Sequence, residues 1–444
     1  MSPDILVDAL GRARERGATE ADGYLVEERH GSALVRMRQV ETVTHSHDHR
    51  LSLRVFVGKA SAAASTSDLS RESLERVVDE ATALARVTAE DAYAGLPDPA
   101  ELIDRVPDLD LEDRADELTP EQKIDLARRV EAAALDADPR ITNSEGAEYY
   151  DRRAWYVYAT SHGFVRDYRT TSCGLSVSPI AQADGKMQRD SWYSTARKRA
   201  KLDDPESIGR IAAERAVRRL GARKVKTVEV PVVFDPETAA SLLRSIAGAV
   251  SGPSLYRRAS FLLDRLGSSI AARSVTLVDD ALVPSALGSR PFDGEGLATG
   301  RTVILDQGVL GSYLLDTYSA RKLGLRSSHH AARDGHGVTV STTNLILQPG
   351  DTPPRDLIAS VQNGFYVTEL IGFGVNGVTG DYSRGAAGLW IERGELAYPV
   401  EEVTVAGNLL EMLASVEGVG NDLVLRDRTA APTLLIGKMV VAGD

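Results

Sequence analysis

Apolar and polar residues alternate along most of residues 21–67, and this period of two constrains the fold more than any other feature of the sequence. Such alternation is typical of half-buried strands. The turn candidates His30-Gly31-Ser32 and Gly58-Lys59 divide the segment. The pattern therefore predicts an antiparallel meander. Helical periodicity follows Ser70, a favourable N-cap residue, and predicts a helix that packs on this sheet.

Helical and strand patterns continue through the first half of the chain. Residues 91–117 are rich in Asp, Pro and Ala and predict a long connection. A helix is expected at Thr119–Asp136, followed by two strand runs around a turn at His162-Gly163. A helix at Pro205–Leu220 completes this half, which we interpret as an α/β unit with an antiparallel sheet.

A short polar joint, Gly221-Ala222-Arg223-Lys224, separates this half from a second half that is rich in strand patterns. The second half begins with the apolar strand EVPVVFD and a helix from Pro236 to about Val250, and it contains a hairpin turn at Arg393-Gly394. We predict an α+β protein of two domains, an N-terminal α/β domain at residues 1–224 and a C-terminal β-rich domain at residues 225–444.

The charge balance argues against nucleic acid as a partner. The 444 residues include 64 acidic and 52 basic side chains, a net charge of −12, and no long block of Lys and Arg. A protein that follows a phosphate backbone needs a concentrated basic surface. The single cysteine cannot form an internal disulfide, and no run approaches the ~18 apolar residues that cross a membrane. With no signal-peptide pattern at its start, we expect a cytoplasmic protein with no membrane partner.

Gly372, Gly374 and Gly377 match the G-x-G-x-x-G pattern of dinucleotide-binding turns. That fingerprint needs a helix whose N-terminus receives the pyrophosphate, whereas the sequence that follows, VTGDYSRGAAGLWIERGE, alternates and turns like a hairpin. We expect these glycines to provide positive φ angles and close backbone approach in a crowded β structure.

His45, His47 and His49 would lie on one face of a strand, which is a plausible arrangement of metal ligands. The intervening residues are polar as well, so the run is more simply interpreted as an exposed strand end or turn. Metal binding by these histidines stays open as an alternative.

Two further patterns have simpler interpretations than catalysis. Ser319 and Lys322 match S-x-x-K, in which a lysine activates a serine, but the companion motifs are absent and a surface helix explains them. The adjacent His329 and His330, with His336 beyond, lie in a polar segment that predicts a solvated loop.

The segment Thr379–Leu413, TGDYSRGAAGLWIERGELAYPVEEVTVAGNLLEML, resembles the signature region of the TldD/PmbA family, also called modulators of DNA gyrase. The segments AGLPDP at Ala94–Pro99, NSEGAEYYDRR at Asn143–Arg153 and LLDTYSARKLGLRSS at Leu314–Ser328 support the resemblance over most of the chain. It implies a dimer of two-domain subunits, with a peptide substrate held between or within subunits.

The helix after EVPVVFD is similar to only one of the two branches of this family. In the zinc-bearing TldD branch this helix carries H-E-x-x-x-H, and a cysteine near the C-terminus completes the site. Here Arg244, Ser245 and Ala249 fall at the positions of the first His, the Glu and the second His. Arg244 and Ala249 cannot act as zinc ligands, and Ser245 has no carboxylate to act as a general base. Cys173 lies upstream of the helix. The resemblance therefore implies the PmbA (TldE) branch, with no metal and no catalytic residue in this chain.

The resemblance implies a non-metal-binding subunit of a cytoplasmic TldD/TldE-type metallopeptidase complex that acts on unfolded or leader peptides. Zinc is expected on a TldD-type partner, and a homodimer in isolation is possible. An extended peptide could add to a strand edge of the C-terminal domain. The candidate peptide-binding residues are polar groups, most of them beside the glycine-rich stretch: Asn344, Asn376, Asp381, Tyr382, Ser383 and Arg384.

Two other functions stay open at this point. The chain could be a regulatory protein-binding factor without peptidase activity, acting through protein contacts because its charge is acidic. It could also be an independent hydrolase that uses the H-x-H-x-H cluster and a different metal. Peptidase activity is expected only with a zinc-bearing partner, so the sequence leaves open whether this chain is itself an enzyme.

Overall fold

The computed structural model describes residues 2–334 and 337–443, and within them the first half of the chain forms a seven-stranded antiparallel sheet and four α-helices. The strands are β1 (Glu20–Arg36), β2 (Gln39–Val57), β3 (Ala60–Thr66), β4 (Ile141–Thr160), β5 (Val165–Ala183), β6 (Lys186–Arg189) and β7 (Trp192–Ala196). The helices are α1 (Asp4–Glu15), α2 (Arg71–Val87), α3 (Pro120–Leu135) and α4 (Pro205–Val217). The strand order is β3-β2-β1-β4-β5-β6, and β7 also pairs with β5.

The predicted turn at His30-Gly31-Ser32 was wrong, because β1 continues through these residues and pairs there with both β2 and β4. At Gly31 the backbone instead lies close to the side chain of Lys123. A Cβ at this position would lie 2.2 Å from Nζ of Lys123. The chain reverses at Met37 and Arg38, whose φ angles of 48° and 63° suit a two-residue hairpin turn. Neither residue type signals a positive φ, so the sequence pattern missed the turn.

Local capping signals place the helices as predicted. The hydroxyl of Ser70 accepts a hydrogen bond from the backbone N–H of Ser73 at 3.4 Å where α2 begins. Thr119 forms a capping box with Gln122 where α3 begins. The connection between α2 and α3 contains, among the described residues, only the short 3-10 turn Pro99–Glu101 as helix, in agreement with the predicted long loop.

The first sheet has two different faces. Helices α1 to α4 cover one face, where they bury residues such as Leu25, Val157 and Leu175. The alternation of each strand sends the intervening side chains to the other face. On that face, the ring of Tyr168 packs edge-on against Phe292 of the second half, with 5.1 Å between the ring centroids. The first sheet therefore lies between its helices and the second half of the chain.

The second half is rich in strands, as predicted. Its strands are β8 (Val228–Phe234), β9 (Leu277–Asp280), β10 (Arg301–Asp306), β11 (Val309–Leu310), β12 (Ala331–Asp334), β13 (Gly337–Val340), β14 (Leu345–Leu347), β15 (Asn363–Ile371), β16 (Asp381–Glu392), β17 (Glu395–Asn408), β18 (Val416–Val419), β19 (Thr429–Ala430) and β20 (Leu434–Ala442). Its helices are α5 (Pro236–Ala249), α6 (Gly252–Tyr256), α7 (Thr317–Leu323), α8 (Pro354–Ala359) and α9 (Leu409–Ala414).

One sheet of this half closes on itself. Its order is β17-β16-β15-β8-β20-β18, and β17 also pairs with β20. Pairing between β15 and β8 is limited to Phe365–Val367 on β15. At the end of β15, residues 369–371 pair with β16 after an irregularity at Thr368, and residues 368–371 have no strand on the other side among the described residues. The closed sheet therefore keeps a short free edge at this point.

The predicted fold class is confirmed: the protein is α+β, with an antiparallel sheet and helices in the first half and a β-rich second half. The domain boundary between residues 224 and 225 stays a prediction. Among the described residues, no helix is both long enough and apolar enough to span a membrane.

Candidate functional site

A large cleft with a volume of about 720 Å³ separates the two halves of the chain. Strands β5 to β7 and helix α4 form one wall, and α5 with the ends of β15 and β16 forms the other. The lining residues that matter below are Arg189, Asp190, Trp192, Arg215, Arg219, Ser241, Arg244, Ser245, Thr368, Glu369, Leu370, Phe373 and Arg384.

Helix α5 can line one wall of the cleft because its two faces differ in polarity. It begins at Asp235, whose carboxylate accepts a hydrogen bond from the N–H of Thr238 at 2.8 Å. One face buries large aliphatic side chains in the core of the second half. The opposite face presents Ser241, Arg244 and Ser245 to the cleft, at the i, i+3 and i+4 spacing of one helix face.

Two of the three positions predicted to replace a metal site therefore line the cleft. Arg244 and Ser245 face it, whereas Ala249 is buried and its carbonyl accepts a hydrogen bond from the hydroxyl of Ser260 at 2.6 Å. The hydroxyl of Ser245 donates to the carbonyl of Ser241 at 3.3 Å. These groups offer no set of metal ligands.

The arginines of the cleft fall into two groups. Arg189, Arg215 and Arg219 form ion pairs with Glu145, Asp190 and Glu369, at 2.9, 3.1 and 2.6 Å. Arg244 and Arg384 have no carboxylate within 4.0 Å in the part of the chain that the structure describes. Arg384 donates to the hydroxyl of Ser241 at 3.2 Å and to the carbonyl of Leu370 at 3.3 Å. Arg244 and Arg384 thus carry positive charges that have no ion-pair partner among the described residues.

Several polar atoms at the cleft are buried without a hydrogen-bond partner among the described residues. They are Oδ2 of Asp190, Nε1 of Trp192 and Nε of Arg384. Buried polar groups are almost always paired with protein or water. The unpaired atoms show that the cleft has hydrogen-bonding capacity to offer a ligand.

The free edge of β15 lies in this cleft, since Thr368, Glu369 and Leu370 all line it. After this edge the chain turns at Gly372, which has a φ of +79°. The next residue, Phe373, is fully exposed at the cleft. The cleft therefore combines the unpaired edge of β15, the guanidinium groups of Arg244 and Arg384, and the exposed ring of Phe373.

The glycines of the G-x-G-x-x-G pattern serve the β structure, as expected. A strand, β16, follows them instead of a helix. A Cβ at Gly374 would lie 1.6 Å from the carbonyl oxygen of Ser383, so only glycine allows this approach. The pattern does not form a dinucleotide site.

Of the six predicted peptide-binding residues, Arg384 lines the cleft and the other five do not. Asn344 is fully buried and hydrogen-bonds Gly288, Ser289 and Asp280. Asn376, Asp381 and Ser383 are exposed near the 372–380 loop, where the first two make turn hydrogen bonds. Tyr382 is buried, which raises the pKa of its phenol to about 12.

The three histidines of the H-x-H-x-H run lie in the long strand β2, mostly exposed to solvent. His47 and His49 converge with Glu27 of β1, and their ligand atoms lie within 4.8 Å of one another. Nε2 of His47 is 2.8 Å from a carboxylate oxygen of Glu27, so a direct contact already joins these two groups. His45 does not belong to this group.

The remaining patterns have structural roles. Ser319 is buried and forms a capping box with Asp316, the N-cap of α7. The prediction of a solvated loop was wrong for His330, which is buried with Nε2 3.2 Å from Asp279. His336 lies outside the described residues. Burial raises the pKa of the Cys173 thiol to about 12, which leaves it protonated and unreactive.

Three models of one protein family match successive parts of the chain. Family models described as PmbA/TldA metallopeptidase domain 1, central domain and C-terminal domain match residues 21–85, 113–220 and 227–443. The chain therefore belongs to the PmbA/TldD family.

Similar proteins and structures cover nearly the whole chain. It is 39% identical to Metalloprotease PmbA of Escherichia coli O157:H7, over 99% of this chain and 96% of that protein. It is 36% identical to the Metalloprotease PmbA homolog of Haemophilus influenzae, over 99% of this chain and 94% of that protein. A putative modulator of DNA gyrase from Bacteroides thetaiotaomicron superimposes with a TM-score of 0.92 at 31% identity, over 99% of this chain and 98% of that one. TldE from Thermococcus kodakarensis shares the fold, with a TM-score of 0.88 at 20% identity, over 99% of this chain and 100% of that one.

The metal that the family name implies does not fit the residues of α5. A zinc site needs thiolate, imidazole or carboxylate ligands. Arg244 is a permanent cation, Ser245 bonds to its own helix, and Ala249 has no side-chain donor. These three residues therefore do not form a zinc site.

Proposed function

We propose that this chain is the non-metal-binding, PmbA (TldE)-type subunit of a cytoplasmic peptidase complex that acts on unfolded or leader peptides. A TldD-type partner would hold the zinc and perform the cleavage. The observation that supports this role most is the face of α5, which presents Arg244 and Ser245 to the cleft where the TldD branch has its metal-binding motif. The domains proposed for this subunit are residues 1–224 and 225–444.

Within the complex, this subunit would hold the peptide in an extended form. The free edge of β15 offers backbone groups at residues 368–371, of which the carbonyl of Leu370 also accepts a hydrogen bond from Arg384. An added strand gains main-chain hydrogen bonds that do not depend on sequence. Arg244 and Arg384 would attract carboxylates of the peptide. Phe373 would supply apolar contact at the edge of the cleft.

The subunit role is tested by mixing the chain with a TldD-type protein from the same organism. We expect a stable heteromer, an obligate-type interface of more than ~2,000 Å², and cleavage of unfolded peptides that exceeds the activity of either chain alone. A chelator should abolish this cleavage. If the two chains elute separately at micromolar concentration and the partner is fully active alone, the regulatory-binding alternative becomes the better one.

Strand addition is tested separately with the peptide. N-methylation of one backbone amide removes a hydrogen-bond donor without changing a side chain. Each lost bond of ~1 kcal/mol should weaken binding about five-fold. Fluorescence polarisation of an unfolded peptide and its singly methylated variants should show this loss at alternate positions. Equal affinity for all variants would argue against pairing with β15.

A further inference from the structure

A second cavity, which we call the arginine chamber, lies between the uncovered face of the first sheet and loops of the second half. Its volume is about 230 Å³. Strands β1, β2, β4 and β5 form its floor, and its roof consists of residues 287–290, 332–333 and 341–342 together with Arg428. The lining side chains used below are Tyr24, Glu28, Arg50, Arg152, Tyr156, Tyr168, Arg197, Arg290, Arg333 and Arg428.

Six arginines line this chamber, and only two of them have a carboxylate partner. Arg152 forms a two-pronged pair with Glu28 at 2.5 and 2.6 Å. Arg333 pairs with the buried Asp22. The guanidinium groups of the four others have no carboxylate within 4.0 Å among the side chains that the structure describes, those of residues 2–333 and 337–443: Arg50, Arg197, Arg290 and Arg428. This is a concentration of positive charge in a chain whose net charge is −12.

Arg197 fixes one of these charges in the wall. Its side chain is 7% exposed, and its guanidinium donates to four backbone carbonyls, among them those of Thr171 at 3.1 Å and Leu287 at 2.6 Å. Burial and, to a smaller extent, the charge of Arg428 lower the pKa of Arg197 to about 10. The carbonyls hold the group in place, but no anion among the described residues neutralises it.

Arg290 adds donors that the protein does not use. Its Nη2 donates to the carbonyl of Ser341 at 3.3 Å, whereas its Nε is buried with no partner among the described residues. An unpaired buried donor is unfavourable until a ligand satisfies it. Beside it, the rings of Tyr156 and Tyr168 stack with 5.1 Å between centroids and form a flat aromatic wall.

We propose that the arginine chamber binds a small ligand with two or more oxyanion charges, such as a phosphate ester or a di- or tricarboxylate. The planar guanidinium matches the two oxygens of a carboxylate or phosphate group. The chamber is smaller than the ~300–1,000 Å³ of pockets for drug-sized molecules, so the ligand is a compact one. The two unpaired and exposed arginines, Arg50 and Arg428, draw anions toward it.

This inference does not rest on the peptidase role, because the chamber and the cleft between the halves share no lining residue. Loss of peptide cleavage would leave anion binding unchanged, and the reverse also holds. The two proposals can therefore fail separately.

The test measures binding of inorganic phosphate and of citrate to the full chain by calorimetry and by thermal unfolding, at an ionic strength matched with sodium chloride. We expect saturable binding of at least one anion and a concentration-dependent rise of the unfolding midpoint. Saturation by phosphate alone identifies a phosphate ester site, and saturation by citrate alone identifies a polycarboxylate site.

The variants Arg290→Gln and Arg428→Gln should each weaken this binding at least ten-fold. Arg210→Gln, an exposed position on α4 outside the chamber, is the matched control and should bind as the unchanged protein does. Because Arg428 is exposed, its variant should fold even if the Arg290 variant does not. In chloride alone, Arg428→Gln should raise the unfolding midpoint, since it removes repulsion toward Arg197.

Two results would overturn the proposal. One is the absence of saturable binding by either anion beyond the chloride control. The other is equal binding by the Arg428 and Arg210 variants, which would show that the anions act on the surface in general.

Discussion

Arg219 and Glu369 form an ion pair of 2.6 Å that spans the cleft, joining the segment just after α4 to the free edge of β15. Arg219 is largely buried and lies 3.9 Å from Asp190 as well, so Glu369 is its closest anion. The pair therefore joins the two walls of the cleft directly.

Replacing this carboxylate should loosen the contact between the halves. Hydrogen bonds to charged groups contribute ~1.5–3 kcal/mol, and we expect Glu369→Gln to lower the free energy of unfolding by ~1–2 kcal/mol. Denaturant unfolding measures the change. Glu229→Gln is the matched control, because its pair with Lys438 is exposed and such pairs contribute ~0–1 kcal/mol. Equal effects of the two variants would show that the cleft pair contributes no more to stability than the exposed pair does.

The N-cap of α5 should give the protein an unusual pH dependence. Burial raises the pKa of the Asp235 carboxyl to about 6, above the unfolded value of ~3.9. The folded chain then keeps a proton that the unfolded chain has lost, so stability falls as the pH rises from about 4 to about 6. The charge of Arg215 acts in the opposite direction and Glu237 in the same direction, but burial dominates.

Asp235→Asn keeps the oxygen that accepts the hydrogen bond from Thr238 and removes the charge. We expect a shallower fall in unfolding free energy between pH 4 and 6. Burial also raises the pKa of Asp293 to about 6, which should leave part of the slope in the variant. Asp204→Asn, at the exposed N-cap of α4, is the matched control. If the unfolding free energy of the Asp235 variant changed with pH as steeply as that of the unchanged protein, the raised pKa of Asp235 would be contradicted.

Two glycines of one pattern should respond oppositely to a methyl group. Gly374→Ala places a Cβ 1.6 Å from the carbonyl oxygen of Ser383, so the loop must move and stability should fall by ~1–3 kcal/mol. Gly377→Ala has free space, with the nearest atom 3.9 Å away. It should be neutral or stabilising by up to ~1 kcal/mol. Thermal unfolding of both variants checks the contrast, and equal shifts would argue against the observed approach.

Restoring the motif on α5 should not create a peptidase. The triple variant Arg244→His, Ser245→Glu, Ala249→His places an imidazole at a buried alanine, where overpacking costs ~1–3 kcal/mol. It also lacks the third ligand and the partners that orient metal ligands. Elemental analysis and a peptide-cleavage assay test this, and zinc-dependent cleavage by the variant alone would refute it.

Metal analysis of the unchanged protein should find no zinc that depends on α5. If the purified chain does hold zinc, the variant His47→Ala tests whether the zinc binds at the group of Glu27, His47 and His49. His47 is the residue of this group that contacts Glu27 directly. Loss of zinc in this variant would favour the alternative of an independent metal site. Arg244→Ala is the comparison that should leave metal content unchanged.

The sequence determined what depends on neighbours along the chain. Alternation indicated the long strands, and the N-cap Ser70 indicated the start of α2, because caps and periodicity act within a few residues. The structure shows two further N-caps, Thr119 and Asp235, that act in the same local way. The motif comparison also put Arg244 and Ser245 on one helix, and the structure places both in the cleft. The local pattern failed at Gly31, whose neighbour in space, Lys123, is distant in sequence.

Only the tertiary structure decided which surfaces meet. Arg219 faces Glu369 across 150 residues of sequence, and the arginine chamber gathers side chains from Arg50 to Arg428. In the sequence, each of these arginines looks like an ordinary exposed residue. The local pattern around a charged residue does not indicate which distant residues it will contact. Packing of the second half against the open face of the first sheet creates both cavities, and that packing depends on burial summed over many distant residues.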